Sequence, residues 1–250
     1  MKKIINRFMI FTDMNLKAYI IIFIINFLSN YAFINYEKNV MFAEREFSKA
    51  DTYMFTANGF FCMAISLFVY LFFINYEGGK TNYNSIIRFK SRKVIWVNEC
   101  IALFIKTCIF VLNIIISAGI IESLYSDIEC NFNDENSIFY FINNGVKIDR
   151  KISLSYVRIL FCIYLTLLFL LFGMLYKIIV LFISNRYIAL VVTIFLSILV
   201  QVTGIINRFA FNYNKFVCHN EFKFLYLSIP SILLFAFGVF YCEKKEYISE

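Results

Sequence analysis

The stretch Ala18-Tyr-Ile-Ile-Ile-Phe-Ile-Ile25 carries no strongly polar side chain on any face of a helix or strand. A strand wetted on one side alternates, and a helix on the surface of a soluble core shows a polar stripe; a run that is apolar all round suits a helix in hydrocarbon. A membrane β-barrel would instead need alternating segments of about ten residues. The run extends from Ala18 to Ile34, and similar ones cover Tyr53 to Ile74, Cys100 to Ile121, Tyr156 to Ile183, Tyr187 to Ile206 and Leu225 to Cys242. Six such helices at ~20 residues each cross a ~30 Å hydrocarbon core and use roughly half the chain. The whole 250-residue sequence agrees: it is 61% apolar and 16% charged, with a mean hydropathy of +0.71, outside the range of soluble domains. The expected fold is all-α: one transmembrane domain over residues 1–250, with no room for a sizeable soluble domain.

The net charge of +7 and pI near 9.0 would suit a nucleic-acid binder in a soluble chain. In a membrane protein the position of the charge counts for more, and no nucleic-acid partner is expected. With the N-terminus inside, the cytoplasmic segments hold thirteen Lys and Arg and the outer segments nine, while eleven of the seventeen acids lie outside. The positive-inside rule therefore places both termini in the cytoplasm. Residues 1–17 are expected to form an interfacial segment: Ile4, Phe8 and Phe11 recur on one face, with Asn6, Arg7 and Asp13 away from it, so residues 4–15 read as a helix lying on the membrane, the alternative being a frayed basic tail. No small-residue cleavage site follows the first run, since Asn30-Tyr-Ala-Phe-Ile34 is too bulky. Outside, the segments are 122–153 and 207–224. The first carries Asp127, Glu129, Asp134, Glu135 and a turn-like Asn143-Asn-Gly145, which predicts a small extracellular cap.

Catalytic constellations are nearly absent. One histidine, His219, cannot build a multi-imidazole metal site, and no Cys-x-x-Cys pair replaces it, so no metal is expected. Cys218 beside His219 resembles a thiol with its base, but neighbours in sequence usually point apart. Gly78-Gly-Lys-Thr81 looks like the end of a phosphate-binding loop, yet Ile74 stands where that motif needs glycine and a membrane run precedes it, so no nucleotide is expected on this chain. Of seven cysteines, Cys62, Cys100, Cys108, Cys162 and Cys242 fall in or beside spans as packing residues. Cys130 and Cys218 lie in different outer loops, where a disulfide and two free thiols are both open.

Polar residues inside spans need partners or water. Asn58, Cys62 and Ser66 recur every fourth residue on the second span, and Thr193, Ser197 and Gln201 do so on the fifth. Each set is one stripe, open to two readings: the lining of a substrate path at a subunit interface, or helix-to-helix hydrogen bonding and close packing. Asn26 and Asn30 form a further pair assigned to packing. Lys106, seven residues from Glu99 on nearly the same face, is expected to snorkel toward the cytoplasmic surface or to meet that acid through water; a proton relay is the sharper alternative, disfavoured because no second intramembrane acid is available to pass a proton on. Arg158 is expected to pair with Glu122.

The cytoplasmic loop 75–97 contains Glu77-Gly-Gly-Lys-Thr-Asn-Tyr-Asn-Ser-Ile-Ile-Arg-Phe-Lys-Ser-Arg-Lys-Val-Ile-Trp96. Tyr83, Ile86 and Ile87 share one face of a short helix capped by Thr81, and Arg88, Lys90, Arg92 and Lys93 make it basic. Such a helix docks into a partner's groove or lies on anionic lipid.

The stretch Ile86-Ile-Arg-Phe-Lys-Ser-Arg-Lys-Val-Ile-Trp96 resembles the segment after the second helix in small bacterial permeases of the type-2 ABC exporter class. The ending Gly238-Val-Phe-Tyr-Cys-Glu-Lys-Lys-Glu246 is similar to that family's finish after its sixth helix. Six spans, both termini inside, the short turn Ser184-Asn-Arg186 and the polar segment 207–224 agree in layout; the outer segment 122–153 is longer than in simple members. The resemblance implies a homodimer, or a pair with a similar chain, in the bacterial cytoplasmic membrane. It also implies separate ABC ATPase subunits holding ATP and Mg, with a coupling helix spanning Thr81 to Lys93 and including Phe89. The second and fifth spans would then face the central cavity, and substrates would be peptides, lipids or drugs. The competing classes are a membrane-embedded peptide-processing cysteine protease and a secondary transporter. The latter is disfavoured by the scarcity of intramembrane acids and broken helices.

Overall fold

The computed structural model describes residues 16–57, 65–78, 91–142, 144–145, 152–183, 185–202 and 221–247. Among them all regular elements are helices. Helix α1 is Leu16–Tyr36, continued by a π-helical turn Glu37–Met41; α2 is Lys49–Thr56, α3 Leu67–Gly78, α4 Arg92–Tyr125, α5 Ile138–Ile142, α6 Leu154–Phe182, α7 Arg186–Val202 and α8 Glu221–Tyr247. Four segments are long and apolar enough to cross a membrane: Tyr19–Met41, Arg92–Tyr125, Leu154–Phe182 and Phe224–Lys244. This is the build of a polytopic membrane protein. The expected second span is described as α2 and α3, with 58–64 outside the described residues, and the expected fifth is the shorter α7. The interfacial helix expected over 4–15 also lies outside the described residues.

Side-chain chemistry sets the helix ends. Asp51 accepts from both the backbone N–H and the hydroxyl of Ser48, each at 2.7 Å, and so closes the start of α2. Ser153 Oγ accepts from the Tyr156 N–H at the start of α6, and Asn185 Oδ1 accepts from the N–H groups of Tyr187 and Ile188 at the start of α7. Each satisfies amides that the first turn leaves without a helical partner. Helix α5 ends as the Asn143-Asn-Gly145 pattern foretold: Asn144 (φ 52°) and Gly145 (φ 82°) turn left-handed, and the Gly145 N–H reaches the Tyr140 carbonyl at 2.9 Å.

Helices α4 and α6 are the centre of the bundle. Half or more of their apolar windows is buried, 50% and 56%, against 22% for α1 and 17% for α8. Between them and α3 the rings of Tyr70, Phe110 and Phe169 meet with centroids 5.1–5.2 Å apart. Tyr70 and Thr107 hydroxyls lie 2.7 Å apart; Thr107 donates to the Leu103 carbonyl, so the tyrosine donates to the threonine. Helix α1 exposes Ile20, Ile21, Ile24, Ile25 and Leu28 and buries Asn26 and Asn30, the reverse of a soluble helix and the pattern lipid imposes.

One end of the bundle carries a cap built from the chain after α1 and the segment between α4 and α6. The Glu46 N–H donates to the Asn136 carbonyl, Lys49 N–H to Ile128 and Ala50 N–H to Glu129, at 2.8–3.1 Å. Lys38 donates to the Tyr125 carbonyl at 2.9 Å and stands over the Tyr125 and Phe47 rings. Arg45 stands over Phe141, 4.7 Å from its ring centroid. The described part of the segment expected to form a cap, residues 126–142, packs here against the loop after α1, residues 42–48.

Candidate functional site

Two places gather the side chains that sequence patterning singles out. The first is the end opposite the cap. The stretch leading into α4 and the final turns of α8, far apart in sequence, meet there. Trp96 is 2% exposed and its indole N–H donates to the Phe235 carbonyl at 3.2 Å. Its ring lies so close on Gly238 that a Cβ there would overlap the indole. One turn farther out, Lys93 pairs with Glu243 at 2.8 Å. Arg92 is exposed at the start of α4. The other residues of the expected coupling helix, Thr81, Tyr83, Ile86, Ile87, Arg88, Phe89 and Lys90, lie outside the described residues. Deeper, Lys177 of α6 meets Glu99 of α4 at 3.1 Å, and Tyr176 donates to Asn75 Oδ1 of α3 at 2.7 Å. Lys106 was expected to snorkel inward or to meet Glu99 through water; a direct partner of Glu99 is Lys177, reaching it from the facing helix.

The second place is a polar seam in the half of the bundle nearest the cap. Three pairs at four-residue spacing lie on three helical elements packed against one another: Asn26 and Asn30 on α1, Thr52 and Thr56 on α2, Asn113 and Ser117 on α4. Thr56 bridges to Asn30 Oδ1 at 3.0 Å. Both polar atoms of Asn26, the Asn30 amide nitrogen and oxygens of Thr52, Asn113 and Ser117 are buried without a hydrogen-bond partner. Beside them Arg158 of α6 pairs with Glu122 Oε1 of α4 and donates through Nε to Tyr53 Oη of α2 at 3.1 Å. Glu122 Oε2 is left unpartnered. The expected Arg158–Glu122 contact is present, enlarged by Tyr53 into a tie among three helices. Unpaired buried polar atoms cost about 1–3 kcal/mol each, so the seam is a concentration of polar groups that hydrocarbon alone does not satisfy.

Of the expected path residues, Ser66, Thr193 and Ser197 are buried within the chain, each at most 1% exposed. Helix α3, which begins just after Ser66, packs against α7, which carries Thr193 and Ser197. Thr193 donates to the Ala189 carbonyl and Ser197 to Ile194 of their own helix, while the Ser66 hydroxyl is unpartnered. Gln201 lies on α7, and Asn58 and Cys62 lie outside the described residues. Cys130 is a half-buried free thiol; Cys218 falls outside the described residues. No group of three or more His, Cys, Asp or Glu that could hold a metal occurs among the described residues. Repeated four-residue spacing was the signal for the seam: Thr52/Thr56 and Asn113/Ser117 carry it as plainly as Asn26/Asn30. Comparison of the chain with protein-family models, with curated proteins and with solved structures finds no match.

Proposed function

We propose that this chain is the membrane-spanning permease subunit of an ATP-driven exporter. In this reading it has six spans and both termini in the cytoplasm, and works as a dimer with itself or a similar chain in a bacterial cytoplasmic membrane. Chemistry resides elsewhere: separate ABC ATPase subunits bind ATP and Mg, and this chain carries their motion to its helices. The observation that supports the reading is the contact between the two stretches on which the family resemblance rests. Through Trp96, Gly238 and the Lys93–Glu243 pair, the exit of the basic loop is clamped to the end of α8. Force applied to that loop therefore enters α4, the helix that also forms the polar seam. Rigid packing is what a lever requires, because close-packed interiors shift as units rather than deform.

The substrate path tests the reading. Ser66 and Ser197 are buried in the conformation described, so exposure demands a second conformation. Single cysteines at Asn58, Ser66, Ser197 and Gln201, in a background without native cysteines, should react with a membrane-impermeant thiol reagent in one nucleotide state and be protected in another. Uniform protection in every state sinks the path.

A further inference from the structure

Helices α6, α7 and α8 leave a groove of about 830 Å³ between them, within the range of small-molecule sites, roughly 300–1,000 Å³. Leu168 and Phe172 of α6 and Leu227 of α8 make a buried floor, while Tyr226, Leu233 and Phe240 stand at an exposed rim. Along α8 the groove runs from Tyr226 to Phe240, which at ~1.5 Å per residue is about 21 Å of helix. It lies within the membrane-crossing segment Phe224–Lys244. The rim is continuous with the other exposed apolar side chains of that segment, Ile229 and Ile232 among them. The groove therefore opens onto the surface that faces lipid.

The wall chooses among occupants. Among its described residues none is charged, and Tyr226 carries the one polar side chain; a polar solute would leave its bonds to water and gain almost none. A helix from a second copy fits no better. Membrane helices approach closely where small residues permit it, and this chain obeys that rule: Gly173 packs against Tyr70 and Leu103, and Gly238 against Trp96. In the groove wall Ala236 is the one small residue, and Leu and Phe make up most of the rest. An uneven wall of that kind is filled by a flexible chain, and apolar cavities take up hydrocarbon in place of water. We infer that the groove binds one acyl chain of a membrane phospholipid, held as a fixed filling between α6 and α8. Its length exceeds the ~15 Å of one leaflet, half of a ~30 Å hydrocarbon core, so the tail lies along it while the headgroup stays at the membrane surface. Recognition is of the tail, since no wall residue reads a headgroup. The inference rests on the membrane-crossing helices and stands independently of the exporter reading.

The test is native mass spectrometry of the full chain in mild detergent, loaded with an equal mixture of dioleoyl phosphatidylcholine and dioleoyl phosphatidylglycerol and then washed. Dihexanoyl lipids with the same headgroups are the comparison. Each chain should retain one dioleoyl lipid, with both headgroups recovered alike, and should lose the short-tailed lipids in the wash. Leu175→Trp and Leu234→Trp, which bring an indole into the groove from half-buried positions on α6 and α8, should lose the retained lipid. Ile24→Trp, on the exposed side of α1, should keep it. Unfolding midpoints separate displacement from misfolding: added dioleoyl lipid should raise the midpoint of the unmodified chain, as a ligand of the folded state does. The two groove variants should stand at that raised midpoint without lipid and gain nothing from it. A chain that retains no lipid, groove variants that keep theirs, or retention of one headgroup only overturns the inference. So does a lipid-free dimer that the groove variants break, which would assign the groove to a second copy.

Discussion

The two ends of the bundle are held by different physics. At the cap end, hydrogen bonds and charge do the joining: backbone groups of residues 46–50 meet 128–136, Lys38 and Arg45 lie on aromatic rings, and Glu122, Arg158 and Tyr53 tie three helices. At the opposite end polar ties are present too, Lys177–Glu99 and Tyr176–Asn75, but the joint between α4 and α8 is chiefly steric. Trp96 fills the space a side chain at Gly238 would occupy, and the nearby charge pair Lys93–Glu243 is nearly half exposed, 45% and 44%. Polar ties with orphaned partners can re-form around water or solute, whereas a filled contact either fits or does not. The cap end is thus joined mainly by polar ties, and the start of α4 is joined to α8 mainly by shape.

The contrast breaks most easily at Gly238. Gly238→Ala forces the Trp96 ring out of place, at a cost of about 3 kcal/mol; the chain's one tryptophan should show it as a lowered unfolding midpoint and a red-shifted emission. Gly119→Ala is the control, since a Cβ there would meet only Tyr53 Oη at 3.8 Å, an ordinary contact. It should be neutral or stabilising by up to about 1 kcal/mol. Equal effects of the two would erase the steric account.

Charge pairs sharpen the comparison at a smaller scale. Glu122→Leu leaves Arg158 partly buried without its acid. Because that guanidinium is 42% exposed, the loss should be about 2 kcal/mol, below the 3–5 kcal/mol of a fully buried pair. Glu243→Gln removes an exposed pair and should cost less than about 0.5 kcal/mol. Thermal unfolding in detergent ranks them, and a larger loss at Glu243 than at Glu122 would place the polar joint at the wrong end.

Much of this was legible in the residues. Runs apolar on every face announced membrane helices, Asn143-Asn-Gly145 announced the turn, and Arg158 and Glu122, at neighbouring span ends, announced their pair. The rotation of each helix was not legible, because a run apolar all round has no phase. Asn26 and Asn30 do mark the buried face of α1, and the same reading applied to Thr52/Thr56 and Asn113/Ser117 finds the seam. Contacts between distant helices left no local trace. Nothing near Glu99 points to Lys177, and nothing near Trp96 points to Gly238, since both depend on how α4 lies against α6 and α8. Ser48-x-x-Asp51 carries a capping pattern that reading for spans alone passes over.

The central claim is that a separate ATPase grips the basic loop, and co-purification from the native membrane measures this directly. Tagged chain extracted in mild detergent should bring down an ATPase subunit, identified by mass spectrometry and by ATP hydrolysis. Ile86→Asp/Ile87→Asp, which puts charge into a desolvated groove at a cost of several kcal/mol, should reduce recovery at least tenfold. Replacing Lys90, Arg92 and Lys93 by Gln removes lipid attraction of about 1 kcal/mol per charge and should largely preserve it. An unmodified chain that brings down no ATPase, or a double aspartate variant that retains it in full, contradicts the exporter account.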